Sequence, residues 1–289
     1  MPNLSIAQAL VEAAHLLRKA GIAEARRDAA TLLADLIGRD NTYLIAHAER
    51  ELTGQDIDQY RNYVERRAAG MPLQYITGHQ EFFNLDFEVT PDVLIPRPDT
   101  ELLVETALEL INKNEPSIIC DVGTGSGCIA ISILYERPLA LGIALEISSS
   151  ALSVAQRNAA RHHVLDRLEL FVSDCFEAVE PSQKFNLIAS NPPYVPEATV
   201  EGLQREVREH EPRIALTPGG DGLAMIRRLL AESPAFLLPG GYLLLEIGFD
   251  QHDAVNNIID RDVWTLLDIH KDIQGIPRTV VLKKAEVRG

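Results

Sequence analysis

The sequence has few cysteines and few basic residues. Its three cysteines, Cys120, Cys128 and Cys175, form no Cys-x-x-Cys pair and leave an odd count. That argues against a disulfide framework or a zinc site, so no metal is expected, and it points to a reducing, cytoplasmic setting. Long apolar runs are missing too. Tyr242 to Leu245 is typical of the longest, far below the ~20 residues needed to span a bilayer, so no membrane association is expected. Met1-Pro2-Asn3 begins no basic region with an apolar core behind it, so no signal peptide is expected. Positive charge is scarce: 27 Lys and Arg against 42 Asp and Glu leave a formal charge of −15. A body this acidic repels phosphates as a whole, and no direct nucleic-acid partner is expected. Arg26, Arg27, Arg61, Arg66 and Arg67 gather in the first quarter of the chain and read as solvated helix faces. What is present is ordinary for a globular protein: 46% hydrophobic and 24% charged residues over 289 positions exclude wholesale disorder.

Periodicity divides the chain. Ser5 with Gln8 forms a capping box, and Ile6, Leu10, Ala13 and Leu17 then repeat at helical spacing up to Gly21. A second helix carries Ala29, Leu32, Leu33 and Leu36. A third starts near Thr53 and runs through Ile57, Tyr60 and Val64. Residues 1–75 are therefore expected to form a small helical bundle. Phe83, Leu85, Phe87 and Val89 alternate with polar residues, which predicts a β-hairpin within a linker spanning 76–98. Pro96 and Pro98 stiffen its exit. Across 99–289, apolar strands alternate with helices. This predicts an α/β domain with a mostly parallel sheet covered on both faces. Strand-like segments around Gln274-Gly275 predict an antiparallel C-terminal edge.

Asp121-Val122-Gly123-Thr124-Gly125-Ser126-Gly127 closes the first strand of this domain and opens a helix. The loop reads Gly-x-Gly-x-Gly. It departs from the dinucleotide fingerprint, because Cys128 stands where the third glycine belongs, and it lacks the Gly-Lys-Ser/Thr of a phosphate loop. Two readings stay open at this point, a tight turn or a cofactor loop at the carboxyl edge of the sheet. Glu146 ends the second strand, where an acid can accept both hydroxyls of a ribose. Asp174, past the third strand, can reach an adenine amino group by the same logic.

The fourth strand ends in Asn191-Pro192-Pro193-Tyr194. With the loop and acid before it, the sequence resembles the class I S-adenosylmethionine-dependent methyltransferases, with their Rossmann-like sheet. Within these, Asn-Pro-Pro-Tyr marks enzymes that methylate amide or exocyclic amino nitrogens. The chemistry suits the residues. An amide nitrogen is a poor nucleophile, and two acceptors, the Asn191 side-chain oxygen and the Pro192 carbonyl, can hold its two N–H groups. Both bonds strengthen as the nitrogen becomes positive, so they favour the transition state over the ground state. Tyr194 can pack its ring on the planar group. Leu94-Ile95-Pro96-Arg97-Pro98-Asp99-Thr100-Glu101, Glu211-Pro212-Arg213 and Gly219-Gly220-Asp221-Gly222-Leu223 complete an ordered set. Over essentially the whole chain, this set resembles the peptide chain release factor glutamine N5-methyltransferase family.

That resemblance implies S-adenosyl-L-methionine as cofactor and the Gly-Gly-Gln loop of release factors as partner. The expected cofactor contacts are Asp121, Gly123, Thr124, Gly125, Ser126, Gly127, Glu146, Asp174, Cys175 and Asn191. Asn191, Pro192, Pro193 and Tyr194 are expected to hold the glutamine, with Asn191, Pro192 and Tyr194 acting in catalysis. Two positions depart from the family pattern: Glu146 is usually aspartate, and Cys175 stands where a tryptophan often sits. Three alternatives remain open at this stage: a ribosomal-protein glutamine methyltransferase, an adenine or cytosine amino-methyltransferase on DNA or RNA, and a non-catalytic protein that docks on release factors. The helical unit carries none of the cofactor motifs, so it is expected to dock the body of the substrate protein.

Overall fold

The structure is a computed structural model that describes residues 4–285. The signal-peptide reading at Met1 to Asn3 and the outer ends of the expected 1–75 and 99–289 domains lie outside the described residues. In chain order, helices α1 (Ile6–Lys19), α2 (Ala25–Leu36), α3 (Asn41–Ala46), α4 (Gly54–Ala68) and α5 (Leu73–Thr77) precede the strands β1 (His79–Phe82) and β2 (Leu85–Glu88). Then follow α6 (Glu101–Leu110), β3 (Ser117–Val122), α7 (Cys128–Glu136), β4 (Ala140–Glu146), α8 (Ser149–Arg161), β5 (Leu168–Val172) and β6 (Phe185–Ser190). The chain ends with α9 (Arg205–His210), α10 (Arg213–Leu216), α11 (Ala224–Glu232), β7 (Leu237–Glu246), α12 (His252–Ile258), β8 (Trp264–Lys271) and β9 (Pro277–Lys284). Among the described residues, no helix is long and apolar enough to cross a membrane.

The chain divides into two compact units. The first takes residues up to His79 together with Gln204–His210, and the second takes Gln80–Leu203 and Glu211 onward. In the first, Ser5 caps α1 in a reciprocal box with Gln8, and Thr53 caps α4 in the same way with Asp56. Ile6, Leu17, Leu32, Leu33, Ile57 and Val64 meet in one core. The periodic pattern predicted three helices. It missed α3 and α5, whose six and five residues are too short to show a repeat. The arginine cluster also needs correction. Arg26, Arg27 and Arg61 are exposed, but Arg67 is buried. Its Nε meets Asp28 Oδ2 at 2.7 Å, its Nη2 meets Glu206 Oε1 at 2.7 Å, and its Nη1 donates to the Met71 carbonyl. Arg66 donates to the Tyr75 carbonyl. A buried guanidinium persists only when its donors are matched in this way.

In the second unit, β1 and β2 form the predicted hairpin. Phe83 and Asn84 turn it with φ of 51° and 58°, the paired positive φ of a two-residue hairpin turn. The main sheet has the order β5-β4-β3-β6-β7-β9-β8. Strands β5, β4, β3, β6 and β7 run parallel, and β9 and β8 form the antiparallel edge. Successive β7 residues go to opposite sides: Leu244 joins one core and Leu243 and Leu245 the other. The fold is thus the predicted α/β class, with both sheet faces covered. The strand order reverses at β3, which lies between β4 and β6, and such a switch opens a crevice at the carboxyl ends of the strands. At the end of α8, the His162 ring packs on Phe87 and its Nε2 meets the Asp86 carbonyl oxygen at 2.9 Å. Burial lowers its proton affinity and favours the neutral ring.

Candidate active site

The glycine loop is held from below. Gly123 and Thr124 donate backbone N–H groups to the Leu145 carbonyl at 2.8 and 3.1 Å, tying the end of β3 to the end of β4. Asp121 is fully buried and accepts from Thr124 Oγ1 at 2.7 Å and from the Ala130 N–H at 3.2 Å. Burial pushes its carboxyl up to about 6, against the two hydrogen bonds and with help from the nearby Glu146 charge. Asn158, also buried, donates to the Ser126 carbonyl and the Glu88 carbonyl, clipping loop, α8 and hairpin together. Gly123, Gly125 and Gly127 have φ of 74°, 56° and 84°, a region costly for any residue with a Cβ. Their surroundings differ. A Cβ on Gly123 or Gly125 would meet nothing within 4 Å, whereas one on Gly127 would lie 2.6 Å from Ile131 Cδ1 and 3.2 Å from Ala155 Cβ. Gly127 is small because α7 and α8 close on it.

Beside the loop lies a cavity of about 370 Å³, within the size range of small-molecule sites. Gly123, Thr124, Gly125, Ser126, Glu146, Asp174, Cys175, Asn191 and Pro193 line it. The structure does not bring Asp121, Gly127, Pro192 or Tyr194 to that lining. Glu146 Oε2 accepts from the Gly125 N–H and Oε1 from the Ser148 N–H, each at 3.0 Å, so the longer acid reaches across to the loop itself. Asp174 is held by Arg228, which also lines the cavity. Cys175 adopts a φ of 53°, and burial chiefly pushes its thiol up to about 12, which leaves it unreactive. The cradle fits S-adenosylmethionine. It offers open space over two glycines, an acid at the end of the second strand and a largely apolar floor.

Asn191 follows β6, whose last residue, Ser190, donates its hydroxyl to the Val122 carbonyl at 2.7 Å. The Asn191 Nδ2 donates to Thr100 Oγ1 at 3.1 Å, and both residues line the cavity. The following turn is fixed through its backbone. Gln251 Nε2 donates to the Tyr194 carbonyl at 2.8 Å, the Val195 N–H to the Leu216 carbonyl, and the Glu197 N–H to the Gly220 carbonyl. Gly222, at φ 80°, packs so closely on the Tyr194 carbonyl that a Cβ there would overlap it. The Gly-Gly-Asp-Gly-Leu segment is thus a clasp on Asn-Pro-Pro-Tyr. Glu211 plays a similar part beneath the Pro-rich loop, accepting from Arg97 and from the Ile95 N–H. The Tyr194 hydroxyl turns to Glu246 Oε1 at 3.3 Å, its ring packs on the core, and burial raises its phenol. Glu246 and Gln251 were not singled out from the sequence, and Thr100 was named only within the Leu94 to Glu101 motif. For Glu246 a signal existed, a carboxylate set between Leu245 and Ile247 in an apolar strand end.

Comparison with known proteins agrees with this arrangement. Residues 8–78 match the family described as the PrmC N-terminal domain, and residues 98–260 match the methyltransferase small domain. The chain is 43% identical to a release factor glutamine methyltransferase of Koribacter versatilis (strain Ellin345) over 97% of this chain and 99% of that one. It is 42% identical to the protein of that name in Geobacter sulfurreducens over 91% of each. A solved methyltransferase from Pyrococcus furiosus shares the fold, with a TM-score of 0.53, 18% identity, and coverage of 78% of this chain and 98% of that one. At these identities and this coverage, the chain belongs to the family of release factor glutamine methyltransferases.

Proposed function

We propose that the chain transfers a methyl group from S-adenosylmethionine to the side-chain amide nitrogen of the glutamine in the Gly-Gly-Gln motif of peptide chain release factors. The observation that carries this reading is Asn191: its Nδ2 is occupied by Thr100, which leaves Oδ1 to accept, and the residue lines the same cavity as the glycine loop. S-adenosylmethionine, held by Gly123 to Ser126, Glu146 and Asp174, supplies an electrophilic methyl group. The chain's own part is to orient the nucleophile. Asn191 Oδ1 accepts one amide N–H and turns the nitrogen lone pair toward the methyl carbon. Bound there, S-adenosylmethionine would give up its methyl group and be left as the neutral thioether, and the methylated nitrogen would lose one amide proton to solvent. The acceptor strengthens as the nitrogen becomes positive, so its effect falls on the transition state. The names of the relatives favour release factors over ribosomal proteins or nucleic-acid bases.

The test is Asn191→Ala with intact release factor. Turnover is expected to fall by about 10²-fold or more while affinity for S-adenosylmethionine changes little. Near-normal turnover would remove Asn191 from the mechanism. The helical unit is proposed to dock the body of the release factor, because an amide clamp cannot by itself select one glutamine among many. Intact release factor should then be methylated with a kcat/KM at least ~10-fold above that of a short Gly-Gly-Gln peptide. Equal values would dismiss docking.

A further inference from the structure

Gly123, Gly125 and Gly127 give the loop after β3 a wide choice of backbone conformations. A loose loop must be ordered when a ligand binds, and the cost of ordering lowers affinity. Hydrogen bonds inside the protein remove most of this freedom. Gly123 and Thr124 donate to the Leu145 carbonyl, Gly127 donates to the Thr124 carbonyl at 2.8 Å, and the Ser126 carbonyl accepts from Asn158 at 2.9 Å. Gly125, in the middle of the loop, is held differently. Its N–H donates to a side chain from the neighbouring strand, Glu146 Oε2, at 3.0 Å. Open space lies over it, since a Cβ there would meet nothing within 4 Å, so that side gives it no support. The carboxyl that takes this N–H is itself fixed. Glu146 ends β4, is 9% exposed, and its Oε1 accepts from the Ser148 N–H at 3.0 Å, at the entry to α8.

Resting on the reading of Gly123 to Ser126 as the cofactor loop, we propose that Glu146 is a positioning residue for that loop. It holds Gly125 in the conformation that receives S-adenosylmethionine, apart from any contact of its own with the ribose. Side-chain length is what allows this. Ser148 lies two residues after Glu146, so an aspartate would keep that contact as an Asx turn. An aspartate is shorter by one carbon–carbon bond, about 1.5 Å, and that difference takes Gly125 out of hydrogen-bonding reach. The glutamate that stands here in place of the family's usual aspartate therefore ties the loop to β4 by a bond the shorter acid does not make. The bond does not use up the acid. Each carboxyl oxygen has two lone pairs, so ribose hydroxyls can still be accepted beside the two N–H groups.

The experiment uses full-length protein carrying isotope-labelled glycine and follows amide hydrogen exchange without cofactor, with S-adenosylmethionine affinity measured separately by calorimetry. The Gly125 signal is identified by its loss in Gly125→Ala, and Gly142 inside β4 serves as the internal reference. In the parent the Gly125 amide is expected to be protected. In Glu146→Asp it should exchange at least ~10-fold faster while Gly142 is unchanged. S-adenosylmethionine should then bind at least ~5-fold more weakly, although a carboxyl remains for the ribose. Equal Gly125 exchange in the parent and Glu146→Asp overturns the proposal, because an acid that serves only the ribose would change affinity alone. Faster exchange with undiminished affinity overturns the role in binding. If Gly125→Ala also binds as the parent does, it is the cofactor-loop reading that has failed. If Glu146→Asp folds poorly, the parent decides: a Gly125 amide that exchanges as fast as an unstructured glycine overturns the proposal, and a protected one supports it.

Discussion

Replacing Gly125 or Gly127 by alanine adds the same single methyl group two residues apart, and the structure assigns the two changes opposite consequences. Both residues have positive φ, so each variant pays about 1–2 kcal/mol for placing a Cβ in left-handed backbone. At Gly125 nothing else is met within 4 Å. At Gly127 the new methyl lies 2.6 Å from Ile131 Cδ1 and 3.2 Å from Ala155 Cβ, and overpacking of this kind adds about 1–3 kcal/mol. Gly127→Ala should therefore lose about 2–5 kcal/mol, and Gly125→Ala only about 1–2. Trp264 is the only tryptophan in the sequence and is buried in the larger unit, so its fluorescence in a urea titration reports this unfolding. Calorimetry supplies the other half of the comparison. Gly125→Ala should weaken S-adenosylmethionine binding at least ~10-fold, since its methyl projects into open space at the cavity wall. Folded Gly127→Ala should bind more nearly as the parent does. Equal stability of the two variants, or unimpaired binding by Gly125→Ala, would refute the division of labour.

Other consequences can be measured as directly. The Asp121 carboxyl, pushed up to about 6 in the fold, binds a proton that the unfolded chain releases near 3.8, so its buried charge costs stability above pH 6 and that cost fades as pH falls toward 4. Asp121→Asn should thus gain relative to the parent by up to about 3 kcal/mol at pH 8 and by only about 1 kcal/mol at pH 4.5; a difference independent of pH in urea titrations would contradict this. Arg67→Met, which strands Asp28 in the helical core, should destabilise that unit by about 3–5 kcal/mol, while removing the exposed Arg61 should cost under about 0.5. Equal midpoints for these two in helical melting would dismiss the buried pair. Gly222→Ala should lower methyl transfer by displacing the Tyr194 carbonyl, with intact S-adenosylmethionine binding; wild-type kcat there would show that the clasp is not needed.

The sheet was legible because its strands are short, apolar and separated by helices, a pattern that leaves little choice of class. The turn at the glycine loop was legible because glycine serves a local need there, positive φ, and the cavity position of Asn191 because it follows an apolar strand of the same sheet. What stayed hidden depends on long-range partners. Thr100 lies 91 positions from Asn191, and Tyr194 lies 52 from Glu246, so no local spacing links them. Gly127 reads like its two neighbours in sequence, yet Ala155 sets its size rather than open space. Arg67 looked like any helix-face arginine because Asp28 and Glu206 lie 39 and 139 positions away. The Tyr194 ring, expected on a substrate plane, is drawn to the core by the Glu246 carboxyl.

The grouping of Gln204–His210 with the helices up to His79 has a consequence for biosynthesis. The chain leaves the first unit, builds much of the second, returns for seven residues, and leaves again. A ribosome making this protein releases α1 to α5 early, but Arg67 then holds only Asp28 and the Met71 carbonyl. Its remaining partner, Glu206, emerges after four of the seven strands of the main sheet have been translated. The helical unit is therefore first in sequence and late to finish, and a fragment cut at His79 would be missing a piece that no N-terminal boundary could restore.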